Sequence, residues 1–132
     1  MYYSAPINTF YNPSLAISDS QAELNMDVKP EFFHTARAIH GSVYFKCLDD
    51  SAYFASQSVE HEFFMLTSSF TTHFIRPISE GRIIAKGLII SNGKSQIIAE
   101  SKIFNEQKQL LAYGSGTFVK SKHRLREISS MF

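Results

Sequence analysis

The sequence predicts an α+β fold in which one long apolar helix packs against an antiparallel sheet. Three observations lead to this prediction. Residues 41–57 are apolar around most of a helical circumference, residues 22–28 alternate apolar and polar side chains, and four extended segments follow the helix. Because so apolar a helix must be enclosed and the chain offers mainly strands to do it, the sheet is expected to surround it.

Prolines, a turn motif and extended apolar segments predict where the other elements lie along the chain. A short helix is expected within residues 7–16, where Pro6 and Pro13 interrupt regular structure. The first strand covers 22–28 and ends at Lys29–Pro30. Asn92–Gly93 indicates a two-residue hairpin. The segments after the helix are expected to form an antiparallel meander of four strands: 63–75, 82–90, 95–104 and 110–120.

The helix at 41–57 has an apolar face and a narrower polar strip that carries two adjacent carboxylates, Asp49 and Asp50. Asp50 stands four residues after Lys46, so an ion pair within the helix is expected for it. Asp49 then remains available for chemistry. The apolar side is expected to lie in the core together with most members of a phenylalanine-rich set: Phe45, Phe54, Phe63, Phe64, Phe70 and Phe74.

Length and composition predict one soluble, cytoplasmic domain over residues 20–120, with an N-terminal extension at 1–20 and a basic C-terminal tail at 121–132. The net charge of +1 favours neither nucleic acid nor a membrane surface as a partner. The single cysteine, Cys47, can form neither an internal disulfide nor a thiolate cluster, and no other spacing suggests a metal site.

The segment from His34 to Ser51 indicates chemistry. Two histidines, His34 and His40, precede Gly41 at the predicted helix start, and Asp49 follows within an apolar stretch. Backbone N–H groups at a helix start are free to bind a developing anion. A carboxylate among apolar residues is costly to bury unless it is needed there. Together these features predict a site that polarises a carbonyl group and attacks it.

Four motifs at consistent spacings carry a resemblance to a known family. The helix opens with His40-Gly41-Ser42, Asp49 follows the glycine by eight residues, His34 precedes His40 by six, and Thr67 precedes Pro77 of Phe74-Ile75-Arg76-Pro77 by ten. This set, over roughly residues 20–120, resembles the hotdog-fold acyl-CoA thioesterases, above all the phenylacetate-degradation (PaaI-type) group. In that family the corresponding residues are a His-Gly-Gly-like motif, a catalytic Asp or Glu, an Asn or Gln, and a Ser or Thr.

The resemblance implies a hotdog fold, hydrolysis of acyl-CoA to acid and CoA, and no metal or other cofactor. It implies that the Gly41 N–H is the main donor to the oxyanion with His34 assisting, that Asp49 is general base or nucleophile, and that Thr67 orients water or the carboxylate. It also implies a homodimer, often paired into a homotetramer, in which His34 and Gly41 of one chain face Asp49 and Thr67 of the other. Further substrate contacts are expected from His40, Ser42, Tyr53 and Lys94.

Two departures from the family pattern keep alternatives open. Ser42 replaces the second glycine, and His34 replaces an amide, although a neutral imidazole still donates one hydrogen bond. One alternative is a non-catalytic hotdog module that binds acyl-CoA as a ligand. The other is a hydratase or dehydratase on the same scaffold that uses His40 as its catalytic histidine.

Overall fold

A computed structural model describes residues 2–129, and within them the chain forms a six-stranded antiparallel sheet around a central helix. The described elements are, in chain order, α1 (Pro6–Tyr11), β1 (Ser14–Ser18), β2 (Gln21–Asp27), a 3-10 turn (Pro30–Phe32), α2 (Gly41–Gln57), β3 (Phe63–Phe74), β4 (Arg82–Asn92), β5 (Ile97–Phe104), β6 (Leu110–Arg124) and α3 (Leu125–Ser129). The strand order is β1-β2-β4-β5-β6-β3. The α+β prediction is confirmed. Residues 130–132 of the predicted basic tail lie outside the described residues.

The predicted four-strand meander is wrong at its first strand. β3 pairs with β6 at one edge of the sheet and does not neighbour β4, which lies between β2 and β5. The connection after β3 explains the difference, because it passes the start of α2 and forms no hairpin. There the carbonyl of Arg76 accepts from the Tyr44 hydroxyl at 2.6 Å, and the carbonyl of Ile78 accepts from the Ile39 N–H at 2.8 Å.

The hairpin between β4 and β5 exists, but its loop is longer than predicted. Pairing ends at Asn92 opposite Ile97, and the N–H of Gly93 donates to the carbonyl of Gln96 across the loop. Neither Asn92 nor Gly93 has the positive φ that a two-residue type I′ turn requires. The sequence pattern also missed β1, which pairs with β2.

The helix α2 has the predicted bounds and packs very closely against the sheet. A Cβ added at Gly87 of β4 would lie 2.0 Å from the carbonyl oxygen of Ser51, so only glycine permits this approach. Ser51 and Ser56 are buried in the helix and each donates to the carbonyl four residues earlier. No helix within residues 2–129 is long and apolar enough to cross a bilayer.

The expected phenylalanine core is wrong. Phe45 and Phe74 keep 42% and 59% of their surface exposed, and the other members of the set are only half-buried. The interior between α2 and the sheet is filled instead by Phe118 and by aliphatic side chains such as Leu48, both fully buried. The rings of the set lie at the margin of this core; Phe45, for example, packs on Phe70 at 5.5 Å between centroids.

Candidate active site

Asp49 and Thr67 meet at the edge of the sheet. The Thr67 hydroxyl donates to Asp49 Oδ1 at 2.9 Å, which joins the middle of α2 to the edge strand β3. β3 is irregular here, with a shift in its pairing with β6 between Thr67 and Ser69. Such bulges re-aim side chains, and this one accompanies a hydroxyl directed at the helix.

The surroundings of Asp49 increase its basicity. Burial, the largest influence, raises its pKa from 3.8 to about 6, and the charge of Asp50 acts in the same direction. The Thr67 hydrogen bond and the charge of Lys46 lower the pKa and oppose this shift. The side chain is therefore a carboxylate at neutral pH, with a proton affinity closer to that required of a general base.

The neighbouring Asp50 has a different role. Its Oδ2 lies 2.7 Å from Lys46 Nζ and also accepts from the Tyr2 hydroxyl at 2.7 Å. The predicted pairing of Asp50 with Lys46 within the helix is confirmed. Of the two adjacent carboxylates, only Asp49 contacts Thr67 on the edge strand.

Asp49 and Thr67 line a cavity of about 420 Å³ whose other walls are mainly apolar. Tyr53, predicted as a substrate contact, lines the same cavity. Its hydroxyl donates to the carbonyl of Met65 at 2.7 Å, and burial raises its pKa. Tyr53 is therefore a neutral wall residue whose proton is already engaged.

A second group of predicted residues gathers at the start of α2. His40 is the N-cap residue, and its Nδ1 accepts from the Ser42 N–H at 3.0 Å. Gly41 is the first helical residue, and its backbone N–H donates no hydrogen bond to any group within residues 2–129. His34 and Gly41 line an open depression of about 380 Å³ together with Tyr44 and Phe74.

The ring of His34 has a defined orientation. Its Nδ1 accepts from the Ala36 N–H at 3.0 Å, so the neutral ring carries its proton on Nε2. That Nε2–H is then available to donate to a carbonyl oxygen. The local turn that fixes the ring includes Arg37 at a positive φ of 62°.

The structure therefore brings the predicted residues together as two separate groups. Gly41 and Asp49 are eight residues apart on one helix, a separation of about 12 Å at 1.5 Å per residue. Lys94 belongs to neither group, because it lies in the β4–β5 loop beside Glu60 and Lys120.

Sequence reasoning missed part of the cavity wall. Tyr2 and Asn8 from the N-terminal segment, and Leu125 and Ile128 from α3, line the cavity that holds Asp49. No local pattern signals these contacts, because they join residues far apart in the chain. Within residues 2–129, no three His, Cys, Asp or Glu side chains are grouped so as to hold a metal ion.

Residues 37–112, more than half of the chain, match the family model described as the thioesterase superfamily. The chain belongs to the thioesterase superfamily. Among curated proteins it is similar to "Putative esterase SSO1253" of Saccharolobus solfataricus, with 25% identity over 81 residues, 61% of this chain and 54% of that protein. The chain thus spans about half the length of the curated relative that it matches.

Solved structures show the same fold. The chain is similar to the Escherichia coli PaaI protein from the phenylacetic acid degradation operon, with a TM-score of 0.85, 19% identity and coverage of 94% of this chain and 90% of that one. It is also similar to thioesterase HI1161 from Haemophilus influenzae, with a TM-score of 0.82, 17% identity and coverage of 89% and 84%. The predicted PaaI-type hotdog fold is confirmed.

Proposed function

We propose that the protein hydrolyses acyl-CoA thioesters to a free acid and CoA. The observation on which this depends is the Asp49–Thr67 pair, a half-buried carboxylate held by a hydroxyl at the wall of an apolar cavity. Membership of the thioesterase superfamily supports thioester hydrolysis as the reaction. We propose that no metal or other cofactor takes part and that the protein acts in the cytoplasm.

The reaction requires a polarised carbonyl and an attacking oxygen. The Gly41 N–H, at the positive end of the α2 dipole, and the Nε2–H of His34 donate to the carbonyl oxygen as it becomes negative. Asp49 either removes a proton from the attacking water or attacks the carbonyl carbon itself. Collapse of the tetrahedral intermediate breaks the C–S bond, and the proton that Asp49 took from water goes to the departing CoA thiolate. If Asp49 attacks directly, the collapse leaves a mixed anhydride with Asp49, and a water molecule then hydrolyses it to release the acid.

These groups require a second copy of the chain. A single carbonyl group cannot contact both Gly41 and Asp49 of one helix, because they are about 12 Å apart. The edge strand β3 contributes to both groups, with Thr67 beside Asp49 and Phe74 beside Gly41. Two β3 edges paired antiparallel about a two-fold axis near Phe70–Thr71 bring Thr67 of one protomer opposite Phe74 of its partner.

Exposed apolar side chains support this arrangement. Leu66 and Phe74 on β3, with Phe45 on α2, keep between 42% and 59% of their surface exposed. Pairing of the β3 edges removes this surface from water and satisfies the free backbone groups of the edge. We propose a homodimer on these grounds, with further pairing into a tetramer.

A thiol-release assay over acyl-CoAs of increasing chain length tests the activity, with wild type, Asp49→Asn and, as control, Asp27→Asn, whose ion pair with Arg82 is exposed and remote from the cavity. We expect Asp49→Asn to lower kcat/KM by at least about 100-fold and Asp27→Asn to lower it by less than about threefold. Equal turnover by wild type and Asp49→Asn contradicts the role of Asp49. Tight acyl-CoA binding by wild type without thiol release favours the non-catalytic module, to which the histidine at position 34 lends some support.

A further inference from the structure

The N-terminal segment forms part of the cavity that holds Asp49. Tyr2, Ala5 and Asn8 line the cavity, and Leu125 and Ile128 of α3 contribute a further apolar part of its wall. These residues belong to neither the helix start nor the Asp49–Thr67 pair. They therefore shape the cavity without belonging to either group of proposed catalytic residues.

A closed ring of hydrogen bonds holds the N-terminal segment on α2. The Tyr2 hydroxyl donates to Asp50 Oδ2 at 2.7 Å, and Lys46 Nζ contacts the same oxygen at 2.7 Å. Lys46 Nζ also donates to Asn8 Oδ1 at 2.6 Å, and Asn8 Nδ2 donates back to the Tyr2 carbonyl at 2.7 Å.

Burial makes this ring costly to open. The side chains of Lys46 and Asp50 are only 14% and 13% exposed, and Asn8 is 6% exposed. Removing one member leaves a poorly hydrated polar or charged group without its partner. This cycle of hydrogen bonds therefore fixes the position of Tyr2 relative to the helix that carries Asp49.

The ring of Tyr2 continues an aromatic wall that leads to Asp49. Tyr2 contacts Phe54 edge-to-face at 5.0 Å between centroids, and Phe54 contacts Tyr53 in the same manner at 4.9 Å. All three rings line the cavity. Rings held in this way form a rigid boundary, since each is fixed by its neighbours and Tyr2 additionally by its hydroxyl.

We propose that Tyr2 is the residue that limits the length of the acyl chain, so that the preferred substrates carry acyl groups of medium length. This inference rests on the proposed thioesterase function. The cavity of about 420 Å³ holds at most about fourteen carbons if each occupies as much space as a water molecule, about 30 Å³, which is fewer than a hexadecanoyl chain contains. Tyr2 acts through the bulk of its ring, and its hydroxyl only holds that ring in place.

The test compares Tyr2→Ala with Tyr2→Phe. Tyr2→Ala removes the wall, whereas Tyr2→Phe keeps the wall and removes only the hydrogen bond to Asp50. We expect Tyr2→Ala to raise the ratio of kcat/KM for hexadecanoyl-CoA over octanoyl-CoA by at least about tenfold, and Tyr2→Phe to leave it within about threefold of wild type. Phe10→Ala is the control, because Phe10 lies in the same N-terminal segment, contacts Tyr11 and Phe32, and does not line the cavity.

Binding in an Asp49→Asn background separates this inference from the proposed function. Calorimetric titration with the same acyl-CoAs reports chain-length preference without turnover. If wild type releases no thiol but Tyr2→Ala still shifts binding towards the longer chain, the proposed function fails and the role of Tyr2 stands. An unchanged preference in Tyr2→Ala, an equal shift in Tyr2→Phe, or no binding of either acyl-CoA overturns the inference.

Discussion

At the scale of the residue, the raised pKa of Asp49 lowers the stability of the folded protein at neutral pH. Burial raises its pKa from 3.8 to about 6, so the folded state disfavours the charged form relative to the unfolded state. Below about pH 4 the carboxyl group is neutral in both states and the cost is absent. The cost appears as the pH rises from about 4 to 6 and stays constant above that.

The first prediction follows from this cost. Asp49→Asn removes the charge but keeps an oxygen that accepts from Thr67. We therefore expect it to raise the free energy of unfolding at pH 7.5 by on the order of 1 to 2 kcal/mol, allowing for partial screening by solvent. Urea denaturation at a fixed protomer concentration measures the change, and the gain should disappear at pH 3.5. A variant that is less stable than wild type at pH 7.5 contradicts this account of Asp49.

The second prediction concerns the pH dependence of turnover. Because the deprotonated Asp49 is the active form, kcat/KM should fall as the pH drops through about 6. The Thr67 hydrogen bond lowers the pKa of Asp49. Thr67→Val should therefore move the acidic limb of the profile, where kcat/KM falls, to higher pH, while Thr67→Ser should leave this acidic limb in place. A pH profile of thiol release on the three proteins measures both effects. A limb that stays fixed in Thr67→Val means that Asp49 is not the group that titrates.

At the scale of the element, the position of α2 depends on one glycine. A Cβ at residue 87 would meet the Ser51 carbonyl oxygen at 2.0 Å and the Ala52 nitrogen at 2.7 Å. Both are backbone atoms and cannot rotate away. The helix must therefore shift, which displaces Gly41 and Asp49 at the same time.

The third prediction is that Gly87→Ala destabilises the protein by about 3 kcal/mol or more. Ser91→Ala, on the exposed end of the same strand, should change stability by less than about 0.5 kcal/mol. Denaturant unfolding of both variants provides the comparison. Wild-type stability in Gly87→Ala contradicts the close helix–sheet contact described above.

The elements show how far the sequence alone can lead. The bounds of α2 were predictable because apolar residues recur with the helical period over the whole of residues 41–57. The ion pair of Lys46 with Asp50 followed from the same geometry. The place of β3 beside β6 was not predictable, because pairing between distant strands leaves no local signal and the hairpin rule favours neighbours in sequence.

The candidate site also contains some residues that the sequence predicts and others that it does not. The positions of Asp49 and Thr67 in the family motifs predict that they act together, and in the structure the two side chains are in contact. Tyr2 and Asn8 escaped prediction because they reach α2 over 48 and 38 positions of the chain. The exposure of Phe45 was also unforeseen, since a helical wheel shows which residues share a face but not which part of that face the sheet covers.

At the scale of the whole molecule, the question is whether one chain holds a complete site. Gly41→Pro is a suitable probe of the helix start, because proline lacks the N–H and is favoured at the first helical position. The preceding residue, His40, already has the extended φ of −65° and ψ of 148° that proline requires of it. Gly41→Ala adds the same Cβ, which contacts Phe74 Cζ at 3.2 Å, but keeps the N–H.

The fourth prediction is that two inactive variants restore activity when they are mixed. Gly41→Pro lacks the oxyanion donor and Asp49→Asn lacks the base, so each homodimer has two defective sites. A mixed dimer has one intact site, formed by Gly41 of the Asp49→Asn chain and Asp49 of the Gly41→Pro chain. Unfolding and refolding equal amounts together should therefore recover about a quarter of wild-type turnover, as random pairing of two-fold symmetric dimers requires. A mixture of Gly41→Ala with Asp49→Asn controls for the added Cβ and should be active. If that control is active but the mixture of Gly41→Pro with Asp49→Asn is not, the site is not shared between two chains.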